Sequence, residues 1–213
     1  MAMRLAVLAS GGGSNLQAIV DAIAAGTLDA RLVGVFSDQP ACAALQRVPA
    51  ALRWSASPGE YPDRAAFDLA LGDAIAEAGA DWIACAGYMR ILGPGFCRRF
   101  NGRLLNIHPS RLPAHPGLHT HRRVLAAGDR EHGASVHFVT EALDGGPVIA
   151  QTRVPVLADD SPERLAARVL ATEHRLFPEV LRWAAAGRLE QRGEQVWIDG
   201  QPRFTPVQID CPT

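Results

Sequence analysis

Short apolar runs alternate with longer amphipathic stretches along this chain. The apolar runs predict buried strands at 5–9, 31–36, 82–86, 104–108, 134–139 and 148–156. Apolar residues at helical spacing predict helices at 15–25, 63–78 and 120–127, and a further one that opens at Ser161. Strands that alternate with helices predict an α/β fold: a three-layer, Rossmann-like, mostly parallel twisted sheet flanked by helices.

Three local signals add detail to this pattern. Asp63 is a good N-cap for the helix at 63–78. Pro178 lies inside the last helical stretch, and we expect it to kink or break that helix. The polar tail from Gly187 predicts a small C-terminal hairpin that turns through Asp199 and Gly200. No internal repeat or linker interrupts residues 1–213, which predicts one domain.

The composition narrows the class of protein. The chain is 48% apolar and 20% charged with a formal net charge of −1, which predicts a globular protein that binds neither nucleic acid nor a membrane. All 21 basic residues are arginines, so a Schiff-base lysine and a P-loop lysine are excluded. The four cysteines form no Cys-x-x-Cys pair and suggest no disulfide framework: Cys42, Cys85, Cys97 and Cys211. We therefore expect a cytoplasmic protein.

A glycine loop, defined as residues 10–13, joins the first predicted strand to the first predicted helix. A helix that begins after such a loop presents free backbone N–H groups and the positive end of its dipole, which suit a phosphate. Ser14 and Gln17 have the spacing of a capping box. The alternative is a tight turn without a ligand, but three consecutive glycines favour the phosphate site.

The kind of phosphate compound stays open at this stage. The dinucleotide-binding fingerprint is incomplete, because Gly11 and Gly13 fit but Leu16 stands where the third glycine belongs. Asp38 follows the second strand, where an acid that binds ribose would lie. A nicotinamide-dependent oxidoreductase thus remains an alternative.

The strongest chemical signal is Asn106 and His108 at the end of a buried strand. Residues two apart in a strand point to the same side, so an amide and an imidazole lie side by side there. Ligands of open α/β sheets bind at the carboxyl ends of the strands. The pair predicts acyl-type transfer on a small molecule.

Two further features bear on this site. Six histidines lie between positions 108 and 137, and His119 with His121 and His108 could form a zinc site. No His-Glu-x-x-His motif is present, so we expect most of these rings to be surface or loop residues and expect no metal. Asp144 precedes two glycines; it is either a turn residue or a carboxylate that faces His108 and favours its charged form.

Several motifs together resemble one family. They occur in chain order: Ser10-Gly-Gly-Gly-Ser-Asn, Ala86-Gly-Tyr-Met-Arg-Ile-Leu, Asn106-Ile-His-Pro-Ser, Pro116-Gly-Leu-His-Thr-His and Leu143-Asp-Gly-Gly-Pro. This series resembles the phosphoribosylglycinamide formyltransferase family from about residue 4 to about residue 200. The resemblance implies transfer of a formyl group from 10-formyltetrahydrofolate to the amine of 5-phosphoribosylglycinamide in purine (IMP) biosynthesis.

The resemblance also implies roles for particular residues. Asn106, His108 and Asp144 would be the catalytic trio. The ribonucleotide would bind at Gly13, Ser14, Asn15 and Glu173. The folate would bind at Arg64, Met89, Arg90, Ile91, Leu92, Asn106, Thr140, Glu141, Leu143 and Asp144. Residues 1–100 would then form the phosphate-binding half of the domain and 101–213 the catalytic and folate-binding half.

The resemblance leaves some questions open. It implies small-molecule substrates, no metal, and a monomer or a homodimer. The family usually has other residues at three positions, where this chain has Gly12, Arg111 and Ala114. A formyltetrahydrofolate hydrolase remains an alternative with the same core, and a non-catalytic sensor of a phosphate ligand is an alternative of another class.

Overall fold

A computed structural model describes residues 1–210, so Cys211 lies outside the described residues. The helices are α1 (Ser14–Ala24), α2 (Arg64–Glu77), α3 (Pro94–Arg99), α4 (Thr120–Ala127) and α5 (Pro162–Ala185). The strands are β1 (Met3–Leu8), β2 (Ala30–Ser37), β3 (Arg53–Ser55), β4 (Trp82–Cys85), β5 (Leu104–His108), β6 (Glu131–His132), β7 (Ser135–Phe138), β8 (Val148–Gln151), β9 (Val154–Pro155), β10 (Leu189–Arg192), β11 (Gln195–Ile198), β12 (Gln201–Arg203) and β13 (Val207–Gln208). Short 3₁₀ turns occupy Ala43–Arg47, Ala50–Leu52 and Pro58–Glu60.

The central sheet has eight strands in the order β13-β8-β7-β5-β4-β1-β2-β3. Its strands run parallel except β7, which is antiparallel to both of its neighbours, β5 and β8. Strands β10, β11 and β12 form a separate antiparallel sheet, and β6 pairs with β9. The predicted α/β fold with a mostly parallel sheet is confirmed, and the predicted turn at Asp199 and Gly200 joins β11 to β12.

Alternating side chains of the central strands fill two cores, one on each face of the sheet. In β1, Leu5 and Val7 pack in the core that contains residues of α1, α4 and α5. Ala6 and Leu8 pack in the core that contains residues of α2 and α3. This alternation is the period of two expected of a strand that is buried on both faces. The arrangement gives the predicted three layers.

The structure corrects two expectations and adds two short elements that were not predicted. The run at 148–156 is two strands, because the backbone N–H of Ala134 bonds the Thr152 side chain and β9 pairs with β6 instead of the main sheet. Pro178 does not end α5: the helix continues to Ala185, and burial of the flanking Phe177 and Leu181 outweighs the one lost N–H bond. The short elements β3 and α3 carry too few residues for a periodic signal.

Within residues 1–210, none of the helices combines the length and the apolar character that a membrane crossing requires.

Candidate active site

The candidate site lies at the edge of the sheet where β1, β4 and β5 end. These three strands are parallel neighbours, so the segments that follow them emerge together. The glycine loop follows β1, residues 86–93 follow β4, and His108 is the last residue of β5. The first two segments are in contact, because the backbone N–H of Met89 donates to Ser10 Oγ at 2.9 Å.

Residues 44 and 47 pack against the glycine loop and fix its backbone conformation. Gly13 has a left-handed φ of 72°, and a Cβ added there would lie 2.8 Å from Ala44 Cα. Arg47 Nε donates to the Gly12 carbonyl at 2.7 Å. The predicted capping box is wrong: Gly13 is the N-cap, no side chain caps α1, and the Gln17 amide bonds Asp21 instead. The N–H groups of the first turn therefore have no side-chain cap.

Asn15 and Glu173 meet beside this loop. Asn15 Nδ2 donates to Glu173 Oε2 at 2.7 Å, and both residues are buried. Burial raises the pKa of Glu173, and the hydrogen bond from Asn15 opposes that rise. Within residues 1–210, Asn15 Oδ1 is buried without a hydrogen-bond partner. An acceptor of this kind is a place for a donor group of a ligand.

Asn106 is oriented by His137, which lies opposite it on the antiparallel strand β7. His137 Nδ1 lies 2.8 Å from the Phe138 carbonyl oxygen, so Nδ1 carries the proton and donates it there. His137 Nε2 then accepts from Asn106 Nδ2 at 3.0 Å. Burial lowers the pKa of His137, which agrees with a neutral ring that accepts at Nε2. One N–H of the Asn106 amide remains for a substrate.

His108 has an acceptor beside each ring nitrogen. Its Nε2 donates to the His115 carbonyl at 3.1 Å, and its Nδ1 lies 3.4 Å from Asp144 Oδ2. A carbonyl and a carboxylate can only accept hydrogen bonds, so an N–H on either ring nitrogen has an acceptor nearby. The Nδ1–Asp144 distance is longer than a usual N–H···O hydrogen bond, so Asp144 acts on this side of the ring mainly through its charge.

Asp144 is placed by its backbone. It has a left-handed φ of 49°, and its Oδ2 accepts from the Gly117 N–H at 2.7 Å, while its Oδ1 lies 3.7 Å from His137 Nε2. Gly146 allows this turn, because a Cβ there would lie 1.9 Å from the Phe138 carbonyl oxygen. Of the two interpretations of Asp144, the structure favours the carboxylate that faces His108.

The residues expected to bind folate fall into two groups around this edge. In the first group, an Arg64 guanidinium N–H donates to the Ile91 carbonyl, and the Arg90 guanidinium lies 5.1 Å from the centre of the Phe67 ring. The Leu92 side chain is buried, whereas Met89 and Ile91 are exposed.

The second group precedes Asp144. Glu141 is paired with Arg98 at 2.7 Å, and Leu143 is exposed. Thr140 and Glu141 line a cavity of about 320 Å³ that extends to Gln191 and Glu194 and does not include the trio. Across residues 1–210, no hydrogen bond or ion pair joins the glycine loop directly to the trio.

The burial of the histidines differs from our expectation. His108, His132 and His137 are buried, so half of the six rings are core residues rather than surface ones. His121 Nδ1 lies 3.0 Å from His132 Nε2, and burial lowers the pKa of both rings, that of His132 to about 4. In the part of the chain that the structure describes, no three His, Cys, Asp or Glu side chains are grouped as a metal site would need.

Three groups that contact the trio were not predicted from the sequence: the His137 ring, the His115 carbonyl and the Gly117 N–H. His137 could have been found from the alternation in 134–139, had the antiparallel pairing of that strand with β5 been known. The two backbone groups carry no side-chain signal.

Comparison with known proteins shows which family the chain belongs to. Residues 3–181 match the formyl transferase family. The chain is 47% identical to the phosphoribosylglycinamide formyltransferase of Escherichia coli, over 93% of this chain and 95% of that protein. It is 42% identical to the trifunctional purine biosynthetic protein adenosine-3 of Bos taurus, over 92% of this chain and 20% of that one.

A solved structure of the phosphoribosylglycinamide formyltransferase of Coxiella burnetii has the same architecture. It superimposes with a TM-score of 0.92 at 42% identity and covers 99% of this chain and 100% of its own. The structural match thus includes nearly the whole of the fold described above, whereas the family match ends at residue 181. The chain therefore belongs to the formyl transferase family.

Proposed function

We propose that this protein transfers the formyl group of 10-formyltetrahydrofolate to the amine of 5-phosphoribosylglycinamide, giving formylglycinamide ribonucleotide and tetrahydrofolate in de novo purine biosynthesis. The near full-length match to the Escherichia coli enzyme supports this substrate pair. The single observation that carries the chemistry is the meeting of Asn106, His108 and Asp144 at the end of β5.

In this proposal, Asn106 and His108 stabilise the formyl oxygen as negative charge develops on it. Asn106 has one N–H left after it donates to His137, and an N–H at His108 Nδ1 would be the second donor, since Nε2 already donates to the His115 carbonyl. Donors held in place before the reaction need no reorganisation during it, and removal of one such donor typically costs about 10²–10³ in kcat. The neutral His137 ring keeps the Asn106 amide in the orientation that donates.

Asp144 acts through His108. Its carboxylate lies 3.4 Å from His108 Nδ1 and would stabilise positive charge that develops on the ring during proton transfer. The attacking amine must lose a proton and the departing nitrogen must gain one, and His108 Nδ1 with Asp144 can pass it between them. The buried position of Asp144, with 9% of its side chain exposed, strengthens the interaction by excluding water.

The ribonucleotide would bind at the glycine loop. Its phosphate would accept from the N–H groups at the start of α1 around Gly13, Ser14 and Asn15, where no side chain caps the helix. Glu173 would accept from a ribose hydroxyl or from the amine of the substrate. Asn15 would hold that carboxylate in place through its hydrogen bond.

The folate would supply an activated formyl carbon when bound, and the described residues fit it. Four large apolar side chains are exposed on the segments after β4, before α4 and before Asp144: Met89, Ile91, Leu118 and Leu143. We infer that the folate covers these side chains, because exposed apolar patches mark ligand-binding surfaces. Arg64, Arg90, Leu92, Thr140 and Glu141 would also contact the folate, and the folate contacts of Asn106 and Asp144 would complete this part of the site.

The proposal is tested by incubation of the purified chain with 10-formyltetrahydrofolate and 5-phosphoribosylglycinamide. We expect tetrahydrofolate and formylated ribonucleotide in equal amounts, with little formate. Formate released at the same rate without the ribonucleotide would establish the hydrolase instead. Saturable NADH fluorescence without formyl transfer would favour the oxidoreductase, and ribonucleotide binding without turnover would favour the sensor.

A further inference from the structure

The segment 115–117 contacts both ionisable members of the trio through its backbone. The His115 carbonyl accepts from His108 Nε2 at 3.1 Å, and the Gly117 N–H donates to Asp144 Oδ2 at 2.7 Å. The relative orientation of the His108 ring and the Asp144 carboxylate therefore depends on where these two peptide groups lie.

This segment has an unusual backbone. His115 has a left-handed φ of 54° and Gly117 a φ of 78°. Left-handed backbone at a residue other than glycine costs energy and persists where surrounding contacts hold it. A contact that holds His115 is therefore needed to keep its carbonyl on His108.

The His115 side chain makes such a contact. Its Nε2 lies 2.7 Å from Asp129 Oδ2, and the ring is mostly buried. Asp129 is itself fixed at the end of α4, where its N–H donates to the Val124 carbonyl at 3.2 Å. The His115 side chain thus ties the segment 115–117 to the end of a helix whose Val124 is buried in the core.

We propose that His115 is a positioning residue: through Asp129 it fixes the carbonyl that orients the His108 ring, and so sets the geometry of the His108–Asp144 pair. This inference rests on the proposed function, because it assigns His115 a role in formyl transfer. A displacement of about 1 Å at a reacting group costs as much as 10²-fold in rate, so a side chain that does not touch the substrate can matter.

Two replacements of His115 test the role of its hydrogen bond separately from the role of its ring. The variant His115→Phe keeps a planar ring but removes the donor, whereas His115→Gln keeps an N–H that can reach Asp129. Both carry similar strain at a left-handed backbone position. His119→Phe is the matched control, since His119 lies in the same loop, has a φ of 58° and is exposed.

Two readouts distinguish positioning from a merely structural role. In His115→Phe, we expect kcat to fall about 10- to 100-fold while KM for both substrates stays within about twofold. In ¹⁵N-histidine NMR spectra, we expect the His108 Nε2–H signal to move or to exchange faster with water. We expect His115→Gln to recover most of kcat and the His119→Phe control to match the wild type.

Asp129→Asn provides a second route if His115→Phe folds poorly, because it weakens the same contact without altering residue 115. We expect it to change the His108 signal in the same direction, with a smaller loss of kcat. Unchanged kcat or an unchanged His108 signal in folded His115→Phe would overturn the inference, as would failure of His115→Gln to recover activity. Absence of formyl transfer in the wild type would instead overturn the proposed function.

Discussion

The glycine loop and the trio of Asn106, His108 and Asp144 lie at the same edge of the sheet but are built in opposite ways. The loop is one continuous segment that offers backbone N–H groups, and neighbouring residues only hold it in shape. The trio is assembled from two distant segments, and His137 and the peptides of 115–117 orient its side chains. A backbone site depends on local conformation, whereas a side-chain site depends on the tertiary structure around it.

The largest effect should follow from removing a side-chain donor of the trio. Asn106→Leu is close in size and lacks the amide N–H, so we expect kcat to fall by about 10²–10³. Steady-state formyl-transfer assays at saturating substrates measure this, and circular dichroism checks that the fold persists. A loss of less than about threefold in a folded variant would show that the amide is not a donor in the rate-limiting step.

In the glycine loop, by contrast, we expect stability to depend on the backbone conformation of each glycine. Gly13→Ala places a Cβ 2.8 Å from Ala44 Cα at a left-handed φ, so we expect a loss of about 2–4 kcal/mol of unfolding free energy. Gly12→Ala is the matched variant, because its Cβ would meet nothing within 4 Å. We expect Gly12→Ala to change stability by less than about 0.5 kcal/mol.

Urea unfolding of both glycine variants measures the difference. Equal stability of the two variants would contradict the description of Gly13 as the tightly packed position.

The buried histidines beside the trio should make stability depend on pH. Burial lowers the pKa of His132 to about 4, below its value in the unfolded chain. The unfolded state therefore binds more protons between pH 6.5 and 4, and the stabilisation is complete above pH 6.5 and lost as the pH falls through this range. We expect this residue to account for a loss of about 2–3 kcal/mol.

The contribution of His132 is isolated by comparison with His132→Gln, whose amide can still meet His121. Unfolding free energies of both proteins are measured from pH 7 to pH 4. The difference between the wild type and the variant should become smaller as the pH falls. Parallel curves would mean that His132 ionises equally in the folded and unfolded states.

The smallest expected effect concerns Glu173. Its ionisation should lower stability as the pH rises, whereas that of His132 lowers stability as the pH falls. Burial raises the pKa of this carboxyl, so its charged form costs stability as the pH rises through that pKa. We expect Glu173→Gln to melt at a higher temperature than the wild type at pH 8, because the variant carries no buried charge. The gain should vanish near pH 4.5, and KM for the ribonucleotide should rise.

Thermal melts from pH 4.5 to 8 measure the effect of Glu173→Gln. A lower melting temperature at pH 8 would show that the Asn15–Glu173 pair stabilises the fold more than burial of the charge costs.

The same contrast explains what could be predicted from the sequence. The β1–loop–α1 segment is local, so its apolar run and glycines predicted it, although one residue of uncertainty at the helix start made the capping box wrong. The pairing of Asn106 and His108 followed from strand period alone. Asp144 could be assigned only through the resemblance, since the turn that directs it to His108 depends on Gly146 and Phe138.

Elements that depend on tertiary contacts were missed for related reasons. The break between β8 and β9 reflects the pairing of β9 with a strand distant in sequence. The burial of His132 and His137 depends on the strands that surround them. Neither is encoded by a local pattern of residue types.

The turnover of Asp144→Asn across pH 6 to 8 tests the central claim most directly. The variant keeps the size of the side chain and its acceptor for Gly117 but removes the charge beside His108. We predict that kcat for formyl transfer falls by about 10²-fold or more throughout this range, because the charged His108 ring loses its partner. Full turnover of a folded Asp144→Asn variant from pH 6 to 8 would contradict the account.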